Sequence, residues 1–274
     1  MIVLCTGCRS GFGILTAVAS AHAGHTVYAG LRDSSTGDRL VEEARGFDVR
    51  PLQLDVTDAD QIETATARIV EEHGRLDALI NNAGTALGGF QEQIGEDELR
   101  RLFDVNVFGA WALTKACLPH LRASGEGIVI NITSMAGRQA MPGLGAYAGS
   151  KFALEGMTEA LRHEMRPFGV RVVLVEPGPY KTDLFSRNRW VAKESMAEGG
   201  PYAAYVHRME QIVEKMEPRL GDAQEVADLV ARLLKEPHPK LRYPLGPGVP
   251  ARIWARRLLP FERFELILSR FLGF

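Results

Sequence analysis

Tyr147 and Lys151 stand four residues apart in the segment Tyr147-Ala148-Gly149-Ser150-Lys151. On a helix that spacing puts a phenol and an amine on one face. A cation beside a phenol favours phenolate and is expected to lower the tyrosine pKa. Such a tyrosine can exchange a proton with a carbonyl or alcohol oxygen near neutral pH. Taken alone, such a pair is more often an ordinary solvated helix face than a site. Ser134 strengthens the chemical reading, because it follows the β-branched run Ile128–Ile132 and precedes Tyr147 by thirteen positions. A serine there falls at the carboxyl edge of a sheet, where ligands bind in open α/β folds.

A second constellation lies at the N-terminus. Thr6-Gly7-Cys8-Arg9-Ser10-Gly11-Phe12-Gly13 separates a short apolar run, Ile2–Cys5, from a helical pattern. Glycines let backbone approach a pyrophosphate, and a following helix N-terminus offers unpaired N–H groups to the anion. The spacing is GxxxGxG, and a tight strand-to-helix turn alone also calls for glycine. Cys5 and Cys8 form a CxxC, but Cys117 is the only other thiol. A metal or redox site needs more context than that, so no metal is expected. At the end of the second apolar run an acidic residue would select NAD. Leu31 holds that place and Arg32 follows it. Arg32, with Arg9 from the loop, can pair with a 2′-phosphate, so NADP(H) is expected over NAD(H), although Asp33 is close by.

These residues need a frame, and the chain supplies one. Short β-branched runs alternate with longer amphipathic stretches. Strands are predicted at Ile2–Cys5, Thr26–Leu31, Val49–Leu54, Leu76–Asn81, Ile128–Ile132 and Val170–Val175, with a last one at Leu241–Leu245. Between Leu54 and Leu76, Ile62, Ala65 and Ile69 recur at helical spacing, with Thr57 and Asp60 as the expected capping pair. Runs such as Val172–Val175 lack polar alternation, so both sheet faces should be covered. The fold class is therefore α/β, a single-domain doubly wound parallel sheet, Rossmann-like, with helices on both faces. One domain is expected over 1–249, with a substrate-side segment over 180–220 and an amphipathic appendage over 250–274.

In this order and spacing the motifs resemble those of the short-chain dehydrogenase/reductase family over about residues 1–240. The resemblance rests on Thr6–Gly13, Asp55, Asn81-Asn82-Ala83-Gly84, Asn106, Ser134, Tyr147 with Lys151, and Pro177-Gly178-Pro179-Tyr180-Lys181-Thr182. Within the family, Val27–Asp33, Lys151–Gly156 and Leu241-Arg242-Tyr243 look like the branch of 17β-hydroxysteroid and retinol dehydrogenases. The resemblance implies roles. Tyr147 is the general acid or base, Lys151 holds the nicotinamide ribose and tunes the tyrosine, and Ser134 donates to the substrate oxygen. Asn106 supports a water chain. Gly7, Arg9, Ser10, Gly11, Phe12 and Gly13 carry the cofactor loop. Arg32, Asp55 and Val56 meet its adenosine end. Asn82, Ala83, Gly84, Pro177, Gly178 and Thr182 line the rest. The implied activity is hydride transfer between NADP(H) and a secondary alcohol or ketone on an apolar, steroid- or retinoid-like frame. Reduction of 3-oxoacyl thioesters and a non-catalytic, cofactor-binding regulator are the competing readings.

Composition narrows the remainder. The chain has 274 residues, 32 basic and 34 acidic, for a net charge of −2. That balance argues against nucleic acid as a partner. No apolar run reaches the roughly 18 residues of a spanning helix, and the start shows no export signal, so a cytoplasmic protein is expected. A homo-oligomer is also expected. Phe185, Trp190, Tyr202, Tyr205 and Met209 suggest an apolar pocket. From Ala251 to Phe274, five arginines and two glutamates are interleaved with large apolar residues, and Pro260 divides the stretch. Those two short amphipathic pieces are expected to form a substrate-side lid or subunit contact, with peripheral membrane contact as the secondary reading.

Overall fold

The structure, a computed structural model, describes residues 1–182, 190–196, 200–216, 218 and 220–272. Its strands run in chain order as β1 (Ile2–Thr6), β2 (Thr26–Leu31), β3 (Val49–Gln53), β4 (Ala78–Asn81), β5 (Leu87–Gly88), β6 (Ile128–Ile132), β7 (Arg171–Pro177), β8 (Trp190–Val191) and β9 (Arg242–Leu245). Seven of them form one parallel sheet in the order β3-β2-β1-β4-β6-β7-β9, and β5 pairs with β8 apart from it. The chain reverses its direction of travel between β1 and β4. That crevice is where open α/β sheets bind ligands.

Successive strand residues serve opposite faces. Val3 and Cys5 join a core with helices α1 (Gly11–His22) and α8 (Gln224–Lys235), whereas Leu4 joins one with α3 (Ala59–His73) and α5 (Ala110–Ala123). All four residues of β4 and all five of β6 are buried, as strands covered on both faces must be. The last strand, β9, closes the edge beside β7.

Several boundaries differ from the sequence reading: β1 runs on to Thr6, β3 stops at Gln53, β9 begins at Arg242, and three further differences follow. Leu76 and Asp77 precede β4, because the Asp77 carboxylate accepts the Ile2 N–H at 2.7 Å and anchors the strand from outside the ladder. β7 begins at Arg171 and extends to Pro177. The cap of α3 is Asp58, which accepts from the N–H groups of Asp60 and Gln61 at 3.0 and 3.1 Å. Thr57 instead donates its hydroxyl to Asp55 at 2.7 Å. A carboxylate one residue nearer the helix satisfies two first-turn donors, which the hydroxyl of Thr57 is placed too early to do. Gly74, at φ 67°, ends the same helix in the left-handed region.

The remaining helices are α2 (Asp38–Glu43), α4 (Glu96–Phe103), α6 (Gly145–Met165), α7 (Ala203–Met216), α9 (Val249–Leu258) and α10 (Phe261–Leu272). Pro260 separates the last two. Among the described residues no helix is long and apolar enough to cross a membrane.

Candidate active site

The loop after β1 is held by packing that admits only glycine at two places. Gly7 has φ +70°, and a Cβ there would lie 2.8 Å from the Cα of Ala83. A Cβ on Gly13 would lie 2.1 Å from the Gly7 carbonyl oxygen. The loop, the start of α1 and the segment after β4 are therefore in close contact. The Thr6 hydroxyl accepts the N–H groups of Asn82 and Ala83 at 3.0 and 2.9 Å. The Asn82 amide donates back to the Thr6 carbonyl at 2.8 Å. Asn82 thus acts on the loop from behind, a conformational role for a residue expected to line the cofactor.

A cavity of about 1060 Å³ opens at the carboxyl ends of β1 to β4. Gly7, Arg9 and Ser10 line one part, Arg32 and Asp33 another, and Asp55, Val56, Ala83 and Gly84 the rest. Ser10 is the N-cap residue of α1, so the orphan N–H groups of that helix begin beside the cavity. These features fit a dinucleotide: glycines for close approach, a helix N-terminus for the pyrophosphate, and two guanidinium groups near the far end. Gly11, Phe12, Gly13, Asn82, Tyr147, Lys151, Pro177, Gly178 and Thr182, also expected at the cofactor, are not in its wall. The Phe12 ring meets Tyr180 edge-on at 5.5 Å, and a Cβ on Gly11 would lie 3.5 Å from Thr182. Gly178 packs under Val249 and donates its N–H to Leu245 at 2.9 Å. Wall residues not anticipated include Thr85, Phe108 and Trp190.

The residues expected to be catalytic gather at the same edge. Ser134 follows β6; its hydroxyl donates to the Pro177 carbonyl at 3.4 Å and accepts the Ala136 N–H at 3.1 Å. Tyr147 and Lys151 sit one turn apart near the start of α6, both buried. Lys151 Nζ lies 5.8 Å from the centre of the Tyr147 ring and donates to the Ile132 carbonyl at 3.2 Å. A Cβ on Gly84 would lie 3.3 Å from Asn106 Oδ1 and 3.6 Å from Lys151 Nζ, so both groups pack against this wall residue without lining the cavity themselves. Asn106 lies in a π-helical turn, Asp104–Gly109, between α4 and α5. Such wide turns recur at functional sites. Its Oδ1 accepts the Thr85 N–H at 2.8 Å, and its Nδ2 donates to the Thr85 carbonyl at 2.9 Å and to Ser150 Oγ at 3.0 Å.

The electrostatics correct one expectation. Burial pushes the Tyr147 phenol up to about 12, and the hydrogen bond with Ser134 is what pulls it down. Burial also pushes Lys151 down to about 8, against the opposing charge of Glu155. Desolvation dominates at both groups, so the phenol stands above its ordinary value, not below it.

A second cavity, about 590 Å³, lies beside the loop that leads into α6. Phe90, Met141, Pro142 and Phe152 form part of its largely apolar wall, and Phe261, Phe264, Leu268 and Leu272 of α10 form another part. Arg138, Gln139 and Arg256 are polar members. The sequence reading placed Trp190 in this pocket. It instead lines the cofactor cavity, because β8 pairs with β5, and the Arg101 guanidinium stacks 5.4 Å from its ring. Tyr202 stacks on Phe90 at 4.5 Å, and Tyr205 is tilted against the same ring at 6.2 Å. Met209 reaches toward Gly143. Phe185 lies outside the described residues.

Residues 1–193 match the family model for short chain dehydrogenases. This chain belongs to the short-chain dehydrogenase/reductase family. A 3-ketodihydrosphingosine reductase of Bacteroides thetaiotaomicron is 37% identical over 90% of this chain and 88% of its own. The human 17-beta-hydroxysteroid dehydrogenase type 1 is 37% identical over 97% of this chain and 80% of its own. In structure, a short-chain dehydrogenase from Streptomyces avermitilis superposes with TM-score 0.83 at 34% identity, covering 99% of this chain and 96% of its own. Similar folds hold NAD in one case and 5-hydroxy-NADP in another. The chain is thus an oxidoreductase of this family.

Proposed function

We propose that this enzyme interconverts a ketone and a secondary alcohol on an apolar frame, with NADP(H) as its preferred nucleotide. The observation that carries the reading is the position of α6. Its Lys151 meets Gly84 in the dinucleotide cavity, while its Gly145 and Phe152 line the apolar one. Tyr147 lies between Gly145 and Lys151 on the same helix, buried and in neither wall, and on this reading serves both cavities.

The dinucleotide supplies or accepts the hydride. The protein supplies the rest. Ser134 donates to the substrate oxygen, where negative charge grows during reduction, and a fixed donor helps most there. Tyr147 gives that oxygen its proton, or takes it in the reverse direction. With its phenol near 12, Tyr147 enters the reduction fully protonated. Lys151 and Asn106 would hold the ribose and the proton path. The NADP(H) preference is supported by Arg9 and Arg32 in the wall beside Leu31. The apolar substrate class is supported by the aromatic and aliphatic lining of the second cavity. It is also supported by relatives named for a ketosphinganine and a hydroxysteroid.

A panel of ketones of graded size, with NADPH absorbance followed, tests the reading. Turnover should favour bulky apolar ketones over short polar ones. NADPH binding with no turnover across the panel would instead indicate a regulator, and turnover of acyl thioesters alone a 3-oxoacyl reductase.

A further inference from the structure

The two C-terminal helices are docked by one face only. Val249 and Leu272 are fully buried at the two ends of the pair, and Arg208 Nε donates to the Leu272 carbonyl at 3.3 Å. The Arg256 guanidinium clasps the helices, 5.2 Å from the Phe261 ring and 5.5 Å from Phe264. Helical spacing puts the cavity-lining Phe264, Leu268 and Leu272 on one side of α10. On the opposite side stand Arg263, Leu266, Ile267 and Arg270. On α9 the outward pair is Trp254 and Leu258, one turn apart. These four apolar side chains are 61%, 72%, 59% and 55% exposed for Trp254, Leu258, Leu266 and Ile267. That is the reverse of what a solvated surface helix shows.

Charge identifies the partner. Arg257 stacks on Trp254 at 5.9 Å, and Arg263 and Arg270 flank Leu266 and Ile267. Residues 251–274 carry five arginines and two glutamates, although the chain as a whole is at −2. A second copy docked face to face would bring like charges together across its two-fold axis. An anionic bilayer accepts both features at once: the apolar side chains enter the headgroup boundary, tryptophan favours that level, and arginines meet lipid phosphates.

We infer that the outward face of α9–α10, centred on Trp254, Leu258, Leu266 and Ile267 with Arg257, Arg263 and Arg270, docks on an anionic membrane surface. The helices lie on the bilayer and do not span it; neither reaches the roughly 20 residues of a span, and Pro260 separates them. The face lies opposite the side chains that wall the apolar cavity, so docking leaves that cavity intact.

The test is co-sedimentation of the full chain with vesicles of phosphatidylcholine alone and of phosphatidylcholine with 30% phosphatidylglycerol, roughly the anionic content at which polybasic segments respond. Binding should appear on the anionic vesicles and weaken with salt. Arg257, Arg263 and Arg270 all changed to Gln should lower it by on the order of a hundredfold, about fivefold per arginine. Trp254, Leu258, Leu266 and Ile267 all changed to Ser should abolish it, with turnover of a soluble ketone retained as the check on folding. If that variant does not fold, the arginine variant decides. Equal affinity for both vesicle types, or no binding to either, overturns the inference. So does a solution dimer that the Ser variant converts to monomer.

Discussion

Arg138, in the wall of the apolar cavity, holds the fully buried carboxylate of Glu176 through Nη1 and Oε1 at 3.0 Å. Behind that pair, Arg242 Nε lies 3.3 Å from Glu176 and 3.0 Å from Glu155. Thr133, next to Ser134, donates to Glu155 at 2.7 Å. Glu176 precedes Pro177, whose carbonyl accepts from Ser134. The buried charges thus connect three elements to the residue that would polarise the substrate.

Glu176 should make the protein less stable as pH rises. Burial first, and the charge of Glu155 second, push its carboxyl up to about 7, against Arg138 and Arg242. A folded-state pKa above the unfolded value favours the protonated form. That contribution is fully present below about 4.5 and is lost as pH rises through about 7. Relative to Glu176→Gln, the wild type should therefore lose on the order of 2 kcal/mol across that interval. Urea unfolding of both proteins at pH 5 and pH 8 measures it; parallel pH dependences would refute the assignment.

Tyr147→Phe should lower turnover on the order of 10²–10⁴-fold, the cost of removing a positioned acid. Cofactor affinity should persist, since the ring and its packing remain. Fluorescence titration with NADPH beside steady-state rates separates the two, and near-wild-type turnover on good substrates would end the proposed mechanism.

Ketone reduction should fall as pH rises through about 8. The phenol, near 12, keeps its proton well beyond that range, whereas the buried Lys151 ammonium loses its own near 8. Glu155 is the charge that holds Lys151 up. Glu155→Gln should consequently move the alkaline break of kcat/KM to lower pH. A break unchanged in the variant would mean that Lys151 does not set it.

NADPH should bind more tightly than NADH, and Arg32→Ala should cost about tenfold of that preference, the worth of one charge-assisted contact to phosphate. Arg9→Ala should act in the same direction. Asp33 opposes part of this preference from the same wall, since Ser35, with N–H and hydroxyl at 3.0 and 2.6 Å, holds its carboxylate ionised. Equal affinities in the wild type would reject the preference.

What could be read in advance follows the range of the forces. Strands buried on both faces announce themselves through short, mainly apolar runs without polar alternation, and the expected bounds of β2 and β6 match to the residue. The pairing of Tyr147 with Lys151 is one helical turn, hence local. The break at Pro260 is local too, since proline cannot donate to the ladder. Trp190 was misplaced because its neighbours come from β5 and α4, about a hundred residues earlier. The Arg138–Glu176–Arg242 cluster draws on three elements, and no periodicity in any one of them reveals it. Burial likewise reversed the expected shift of Tyr147, as desolvation depends on packing that spacing does not encode. The Met141-Pro142-Gly143 loop was within reach, because a turn just before a catalytic helix belongs to the substrate side.

Deleting residues 251–274 should raise KM for a bulky apolar ketone and leave that for a small one nearly unchanged. The deletion removes Phe261, Phe264, Leu268 and Leu272 from the cavity wall but spares Val249, which packs on Gly178. Ser134, Tyr147, Lys151 and the dinucleotide cavity lie on other elements. If a substrate buries about 100 Å² against the lost wall, roughly 2.5 kcal/mol of binding disappears, or about seventyfold in KM. Kinetics on a size-graded ketone pair, with NADPH affinity as the check on folding, reads this directly. An unchanged ratio of the two KM values would show that α10 does not contact substrate, whatever its outer face binds. A fall in NADPH affinity alongside would mean that the truncated tail had supported the fold instead.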